Sequence, residues 1–480
     1  MMTQKSTQDG SWGDLLSGKN ALRSIALSGG VALHAINIFI ATTILPTVVK
    51  EIGGLDLYAW NTTLFVVASI LGSALTAKLL QGVGPRAAYA AAIVLFLAGS
   101  LLCALAGNMP LMLVGRAVQG LGGGLMLALC YSMIQLVFEE RLWPRAMALV
   151  SGMWGVATLV GPALGGVFAE LGIWRAAFGS LLPVGLAYLA LTSFTLPKRN
   201  KNQAPAGRLP LRQLCLLAGA VLAVCAGSSS PLPFWNIAGI AAALLLMYLL
   251  VRREARGAPR LLPLGALTPG APLCALYATM GLLMIGMSSE IFVPYFLQTL
   301  HGQSPLVSGY LAALMAAGWT VSEIMSSGWK GDAVRRAIVG GPLFVLAGVV
   351  LLAIFAPLKG DGDWWTLAPA CLGLTLLGFG IGLGWPHLLT RVLQVAGAAD
   401  QDAAASSITT VQLFATALGA ALAGMTANLA GLNDPGGVEG AAQAARWMFA
   451  LFTLAPVLAL LAALRATRSA PAALAPAPVA

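Results

Sequence analysis

The sequence predicts an all-α membrane protein: two six-helix bundles joined through an inserted two-helix hairpin. Three observations predict it. Of 480 residues, 58% are apolar and only 9% charged, where a soluble domain carries about a quarter charged residues; mean hydropathy is +0.85. Apolar runs of spanning length recur along the whole chain. The basic residues alternate between crowded and nearly empty segments.

The runs fall at 24–48, 58–80, 87–107, 110–137, 146–169, 174–196, 211–228, 233–251, 272–299, 305–329, 337–357, 364–391, 403–430 and 442–464, fourteen spans in all. A bilayer needs about 20 apolar residues per helix. With no water at membrane depth each span must satisfy its own backbone, which requires helix, and the alternation of a transmembrane barrel is absent. The seventh and eighth spans are separated by a short polar bend, Ser228-Ser229-Ser230-Pro231. Removing that pair leaves six spans on each side. The organisation expected is a tail over 1–23, a bundle over 24–196, a linker with two extra helices over 197–271, a second bundle over 272–464 and a disordered tail over 465–480, the last being rich in Ala and Pro.

If the N-terminus is cytoplasmic, twenty-two Lys and Arg residues lie in cytoplasmic segments and four on the other side: Lys50, Arg175, Lys359 and Arg446. That bias places both termini inside. It also explains the net charge of +10 without nucleic acid. The six cysteines are scattered in apolar runs with no CxxC or Cys/His spacing, so neither a metal site nor a disulfide framework is expected. The first 20 residues are polar and the apolar stretch after them is too long for the core of a signal peptide.

Several motifs sit at set places in this frame. The turn after span two reads Ala77-Lys78-Leu79-Leu80-Gln81-Gly82-Val83-Gly84-Pro85-Arg86, and that after span ten Gly328-Trp329-Lys330-Gly331-Asp332-Ala333-Val334-Arg335-Arg336. Both are read as glycine-rich loops whose charges latch onto neighbouring helix ends. Span four holds Arg116-Ala117-Val118-Gln119-Gly120-Leu121-Gly122-Gly123-Gly124. An arginine in lipid costs about 3 kcal/mol or more, so it must face a cavity or a partner, while the glycines admit a close helix. No strand precedes them and no Lys-Ser/Thr follows, which rules out a phosphate loop. Span five carries Gly155, Gly161, Pro162, Gly165 and Gly166, a kinked, closely packed helix suited to sealing a gate.

These motifs resemble those of the major facilitator superfamily, and more narrowly its fourteen-helix drug:proton antiporter branch. Trp174-Arg175, Val293-Pro294-Tyr295-Phe296-Leu297-Gln298 and Gly380-Ile381-Gly382-Leu383-Gly384-Trp385-Pro386 also look like that branch. The chain departs from the pattern at Gln81 and at Asn37, nine residues before Pro46, where the family and the branch have Asp. The resemblance implies the major facilitator fold and proton-coupled export of small amphiphilic or drug-like molecules by alternating access. No cofactor is expected beyond a proton gradient as energy source. The expected partners are the lipid bilayer, a small-molecule substrate and protons, without nucleic acid, in a monomer of the plasma membrane, a bacterial inner membrane. No nucleophile–base pair or nucleotide loop points to an enzyme.

Ionisable groups at membrane depth are functional candidates by default. Glu290 lies in the outer half of span nine and Glu323 toward the cytoplasmic end of span ten. A carboxyl group in hydrocarbon suits a proton site or a cation counter-charge; the plainer alternative has Glu323 snorkel to the interface or pair with Lys330. His34 and Asn37 share a face of span one, to line a cavity, shuttle a proton, or merely join helices. Arg116 either organises the Asn37 region and couples protonation to movement or is a structural donor. His387 and Arg391 are read as interface anchors. Gln119, Tyr131, Trp154, Met287, Tyr295, Gln298 and Trp319 complete the cavity candidates, although most such side chains in spans simply pack. Two further functions stay open: a dedicated exporter of one natural metabolite such as a siderophore, and a transporter-like sensor without flux.

Overall fold

The computed structural model describes residues 11–198, 210–230, 232–257, 260–360, 362–396 and 400–468. Among them, fourteen helices are long and apolar enough to cross a bilayer: α1 Gly18–Ile52, α2 Leu55–Val83, α3 Pro85–Ala104, α4 Met109–Val137, α5 Glu140–Glu170, α6 Arg175–Thr195, α7 Leu211–Ser228, α8 Pro233–Glu254, α9 Pro272–Thr299, α10 Pro305–Ser326, α11 Asp332–Phe355, α12 Trp364–Val395, α13 Ala403–Leu429 and α14 Gly437–Arg468. No strand occurs among the described residues.

Local chemistry sets many of the ends. Asn108 and Ser304 accept from the backbone N–H of Leu111 and Val307 and so cap α4 and α10. Pro85, Pro233, Pro272 and Pro305 sit in first turns, where a missing N–H costs nothing. Two boundaries differ from expectation. A short turn of helix at Trp12–Leu15 precedes α1, which begins at Gly18 rather than 24. The last helix runs to Arg468, past the start of the expected tail; residues 469–480 lie outside the described residues, as do 1–10 and Arg199, Lys201 and Arg208 of the basic loop.

The first motif expected in a loop is largely helical, and the second is helical only from Asp332 on. Leu79 lies in α2, only Gly84 (φ 82°) breaks the chain, and Arg86 is already in α3. Asp332, Arg335 and Arg336 form the first turns of α11, where an acid suits the helix N-terminus.

Loop contacts sort the helix ends onto two faces. On one, Arg23 donates to the Val137 carbonyl (3.0 Å), Arg141 pairs with Asp14 (3.3 Å), and Arg86 donates twice to the Leu196 carbonyl. On the other, Arg175 pairs with Glu51 and donates to the Ala106 carbonyl. The first is called the basic face below, the second the opposite face. The latch at Arg86 therefore closes on a carbonyl, not on an acid. Asp332 forms no salt bridge among the described residues.

The two halves, α1–α6 and α9–α14, repeat one packing scheme. A Cβ on Gly120 or Gly124 of α4 would fall 2.2 and 2.1 Å from the Phe65 and Ser69 carbonyls of α2, and one on Gly122 2.3 Å from the Phe96 nitrogen of α3. In the second half, a Cβ on Gly378 or Gly382 of α12 would fall 1.8 and 2.2 Å from the Met315 and Trp319 carbonyls of α10, and one on Gly380 2.4 Å from the Gly341 carbonyl of α11. Fourth helices thus sit between second and third helices on glycine stripes, backbone against backbone. Fifth helices reach across: α5 packs on α10, and α13 on α2. This exchange is what a pseudo-twofold relation between halves produces.

The hairpin breaks the symmetry. Helix α7 lies on α2 and α13 with α8 behind it, and Phe65, Val221, Val224, Ala243, Ala417 and Met425 belong to one buried cluster there. Trp60 donates to Ser229, and Asn428 donates both to the Asp56 carbonyl and to the Ser228 carbonyl. One seam between halves is therefore covered by protein. The α5–α10 seam shows exposed Leu159 and Val307 instead.

Candidate transport site

The hydrogen bonds that tie the halves to each other gather toward the opposite face. Leu306 N–H donates to Glu170 (3.3 Å), Tyr310 to the Leu159 carbonyl (3.1 Å), and Asn428 to the Asp56 carbonyl (3.0 Å). Tyr58 of α2 stacks on Phe292 of α9 at 4.7 Å and meets Tyr295 edge-on at 5.7 Å. The expected gate helix supplies part of this closure. A Cβ on Gly166 would fall 2.4 Å from the Leu306 Cα, and one on Gly309 would fall 3.1 Å from the Pro162 Cβ, both across the seam. Gly161 and Gly165 instead bring α5 onto Phe39 and Ile40 of α1. Gly155 has open space around its Cβ position, so this member of the motif makes no close approach.

In the first half a buried polar network surrounds Arg116. Its Nη1 donates to Gln119 Oε1 (2.6 Å), its Nε to the Asn61 carbonyl (3.3 Å), and its guanidinium lies 4.1 Å over the Phe65 ring. Gln119 in turn donates to Ser100 (2.8 Å). His34 packs against Phe65 and Trp154. Arg116, Gln119, His34 and Asn37 are all buried, and Arg116 has no salt bridge among the described residues. The expected contact from Arg116 to Asn37 is absent: both side-chain atoms of Asn37, His34 Nδ1 and Asn61 Nδ2 are buried without a hydrogen-bond partner. A buried cation with several idle polar groups beside it can receive a substrate's polar or anionic group, because each unmet donor carries a desolvation cost that a ligand relieves. Asn61 and Ser100 escaped the sequence reading. No sequence signal marked them: the approach of Asn61 to Arg116 follows from the seating of α4 on α2 at Gly120 and Phe65.

In the second half the acids stand apart from any cation. Helix α9 is interrupted at Ser288–Phe292 by a 3₁₀ turn between helical pieces Pro272–Met287 and Val293–Thr299. Pro294 causes it. Proline has no N–H to give the carbonyl of residue 290, so the Val293 N–H closes a tighter bond onto the Glu290 carbonyl. Irregular backbone at membrane depth is tolerated where it is buried in protein or lines a cavity. Glu290 sits in this turn, half-buried, with no hydrogen bond or salt bridge from its carboxylate among the described residues. Glu323 accepts from Trp319 Nε1 at 2.8 Å rather than pairing with Lys330, and Trp319 meets Trp385 edge-on at 5.4 Å.

The remaining candidates divide by depth. Tyr131 and Trp154 stay over a third exposed, with the Tyr131 and Ser151 hydroxyls 3.5 Å apart. Met287 and Gln298 are half-buried, and Gln298 Nε2 has no partner. Tyr295 packs into the aromatic closure with Tyr58 and Phe296. His387 is buried with Nε2 unpartnered and is not the interface anchor expected.

Comparisons with known proteins agree with this architecture. The family model of the Major Facilitator Superfamily matches residues 27–420. A probable multidrug-efflux transporter of Mycobacterium tuberculosis is 38% identical over 469 residues, covering 95% of this chain and 97% of the relative. A putative multidrug resistance protein MdtD of Salmonella paratyphi B is 28% identical over 441 residues, covering 90% and 91%. The crystal structure of a bacterial homologue of the human lysosomal transporter Spinster superposes with a TM-score of 0.64 at 14% identity, over 94% of this chain and 98% of that one. A multi-pass protein of fourteen spanning helices in two repeated halves, with a family match over most of its length, the chain belongs to the major facilitator superfamily of transporters.

Proposed function

We propose that this transporter exports small amphiphilic, drug-like molecules in exchange for protons, by alternating access. It works in the plasma membrane with the basic face and both termini in the cytoplasm. The observation that carries the reading is Glu290, an unpaired carboxylate in a broken span of one half, facing a frame whose halves are tied together toward one face. A carboxyl group without a cationic partner can be neutralised only by a proton or by its cargo, which couples the two. Relatives named for multidrug efflux support the direction and the substrate class. The rocking would alternate the closure at Gly166, Tyr310 and Asn428 with one at the basic face.

The test is efflux in proteoliposomes with an imposed pH gradient and a lipophilic cation dye. Glu290→Gln and Glu323→Gln are each expected to lower gradient-driven flux. Unchanged coupling in both variants defeats the mechanism. A dedicated exporter of one natural metabolite has its own supporting observation, since the span interiors of the first half offer Arg116 and no acid, which suits an anionic chelator of siderophore type. Transport of such an anion with the cation dye left unmoved would select that reading. Failure of both solutes to move would select a sensor without flux.

A further inference from the structure

The hairpin carries a second feature, unrelated to the path between the halves. The start of α7 and the end of α8 meet at the basic face and enclose a groove of about 610 Å³. Arg212, Arg252, Arg253 and Arg256 line it together with Leu211 and Leu249. Residues 249, 252, 253 and 256 recur at helical spacing and so share one face of α8 and its continuation. Leu211 and Leu249 are exposed, which in a membrane helix means contact with acyl chains.

Among the described residues no acid pairs with these four cations, and the single ring contact is Arg252 over Tyr248 at 5.7 Å. Glu254, the acid between them in sequence, is buried and accepts from the backbone N–H groups of Leu261 and Leu262. The neighbouring stretch 197–212 contains five Lys or Arg residues and no Asp or Glu. Topology alone requires basic residues in these loops. It does not require four of them to converge on one groove with apolar walls.

We propose that this groove binds an anionic phospholipid of the leaflet at the basic face. The phosphodiester headgroup is held by the four guanidiniums, which match phosphate oxygens in a fork geometry, and the acyl chains lie along Leu211 and Leu249. Basic pockets between membrane helices are the form such recognition takes. Because α7 also lies on α2 and α13, the lipid anchors the one element that covers a seam between the halves.

The groove contains its own reporter. Cys215 lines it and is exposed, whereas Cys103, Cys130 and Cys225 are buried. Wild-type protein in detergent is treated with a maleimide, and modification of Cys215 is followed by mass spectrometry. Phosphatidylglycerol is expected to slow Cys215 modification several-fold, while phosphatidylcholine and inorganic phosphate leave it unchanged. Equal rates with both lipids overturn the proposal, as does equal protection by inorganic phosphate, which would make the site one for free phosphate. In native mass spectrometry, Arg252→Gln/Arg256→Gln should weaken phosphatidylglycerol binding about tenfold, with Arg252→Lys/Arg256→Lys, which keeps the charge and loses the fork, restoring only part of it; undiminished binding to the Gln variant also overturns it.

Discussion

In the first half, α4 places Arg116 four residues before Gly120; in the second, α12 places Leu374 four residues before Gly378. The glycines do the same work in both, seating a fourth helix between its second and third neighbours. The residues one turn earlier differ completely. Around Arg116 lie Gln119, Asn61 and Ser100 in hydrogen-bonding contact, whereas Leu374 and Leu377 are plain core. The second half carries its ionisable groups elsewhere, at Glu290 and Glu323. The repeat thus preserves the packing and divides the charge within the spans, Arg116 without an acid on one side and Glu290 and Glu323 without a cation on the other.

The sharpest way to break this comparison is to attack what the halves share. Gly124→Ala and Gly378→Ala each drive a methyl group into a carbonyl of the second helix, with no flexible side chain to yield. Each should cost about 3 kcal/mol and appear as aggregation or a large fall in melting temperature in detergent. Gly155→Ala, with open space around it, should melt as the wild type does. If Gly124→Ala and Gly378→Ala also melt normally, the shared stripe is not what seats these helices.

Next comes what the halves do not share. Arg116→Leu makes the first half resemble the second at this position. Exchanging a buried charge for an apolar side chain of similar reach is often neutral for folding. Flux should nevertheless fall about tenfold or more, equivalent to roughly 1.4 kcal/mol. Normal flux would reduce the network to packing.

The two seams can be compared in the same way. Asn428→Ala removes two hydrogen bonds that join both halves and the hairpin, at about 1–2 kcal/mol, while Tyr310→Phe removes one at the lipid-facing seam, at about 1 kcal/mol or less. Equal melting temperatures for the two variants would show that the hairpin adds nothing to its seam.

The smallest effect lies in the loop between α9 and α10. His301 is buried there, and its ring contacts the Ala356 carbonyl at 3.2 Å. Burial lowers its pKa below the usual 6.5. Between the lowered value and 6.5 the unfolded chain binds the proton that the folded chain refuses, so stability rises with pH across that window and is lost as pH falls through it. Melting temperature should drop slightly from pH 7.5 to pH 5 in the wild type, and less in His301→Phe. Parallel pH profiles would remove His301 from the account.

The spans could be read from the sequence because the bilayer imposes one requirement, length and apolarity, that composition alone meets. Which helix ends share a face could be read because successive loops must alternate and charge marks them. The break at Glu290 was readable in principle, since Pro294 stands four residues on, but a proline near a span end looks like any other first-turn proline. The partners of Arg116 were not readable. Asn37 was the expected neighbour, and the backbone of Asn61 takes the bond instead, because helix rotation within a bundle is decided by glycine contacts on three sides at once. The place of the hairpin was hidden for a different reason: a helix face packed on apolar neighbours and one packed on lipid have the same composition.

That placement leaves the two edges of the molecule in unlike surroundings. A symmetric rocker would feel the bilayer equally left and right. Here α7 upholsters the edge between α2 and α13, while the edge between α5 and α10 leaves Leu159 and Val307 uncovered. Under the proposed rocking, a swing that parts the halves slides along a polypeptide surface on one flank and meets no such cover on the other, so the bilayer acts unequally on the two flanks.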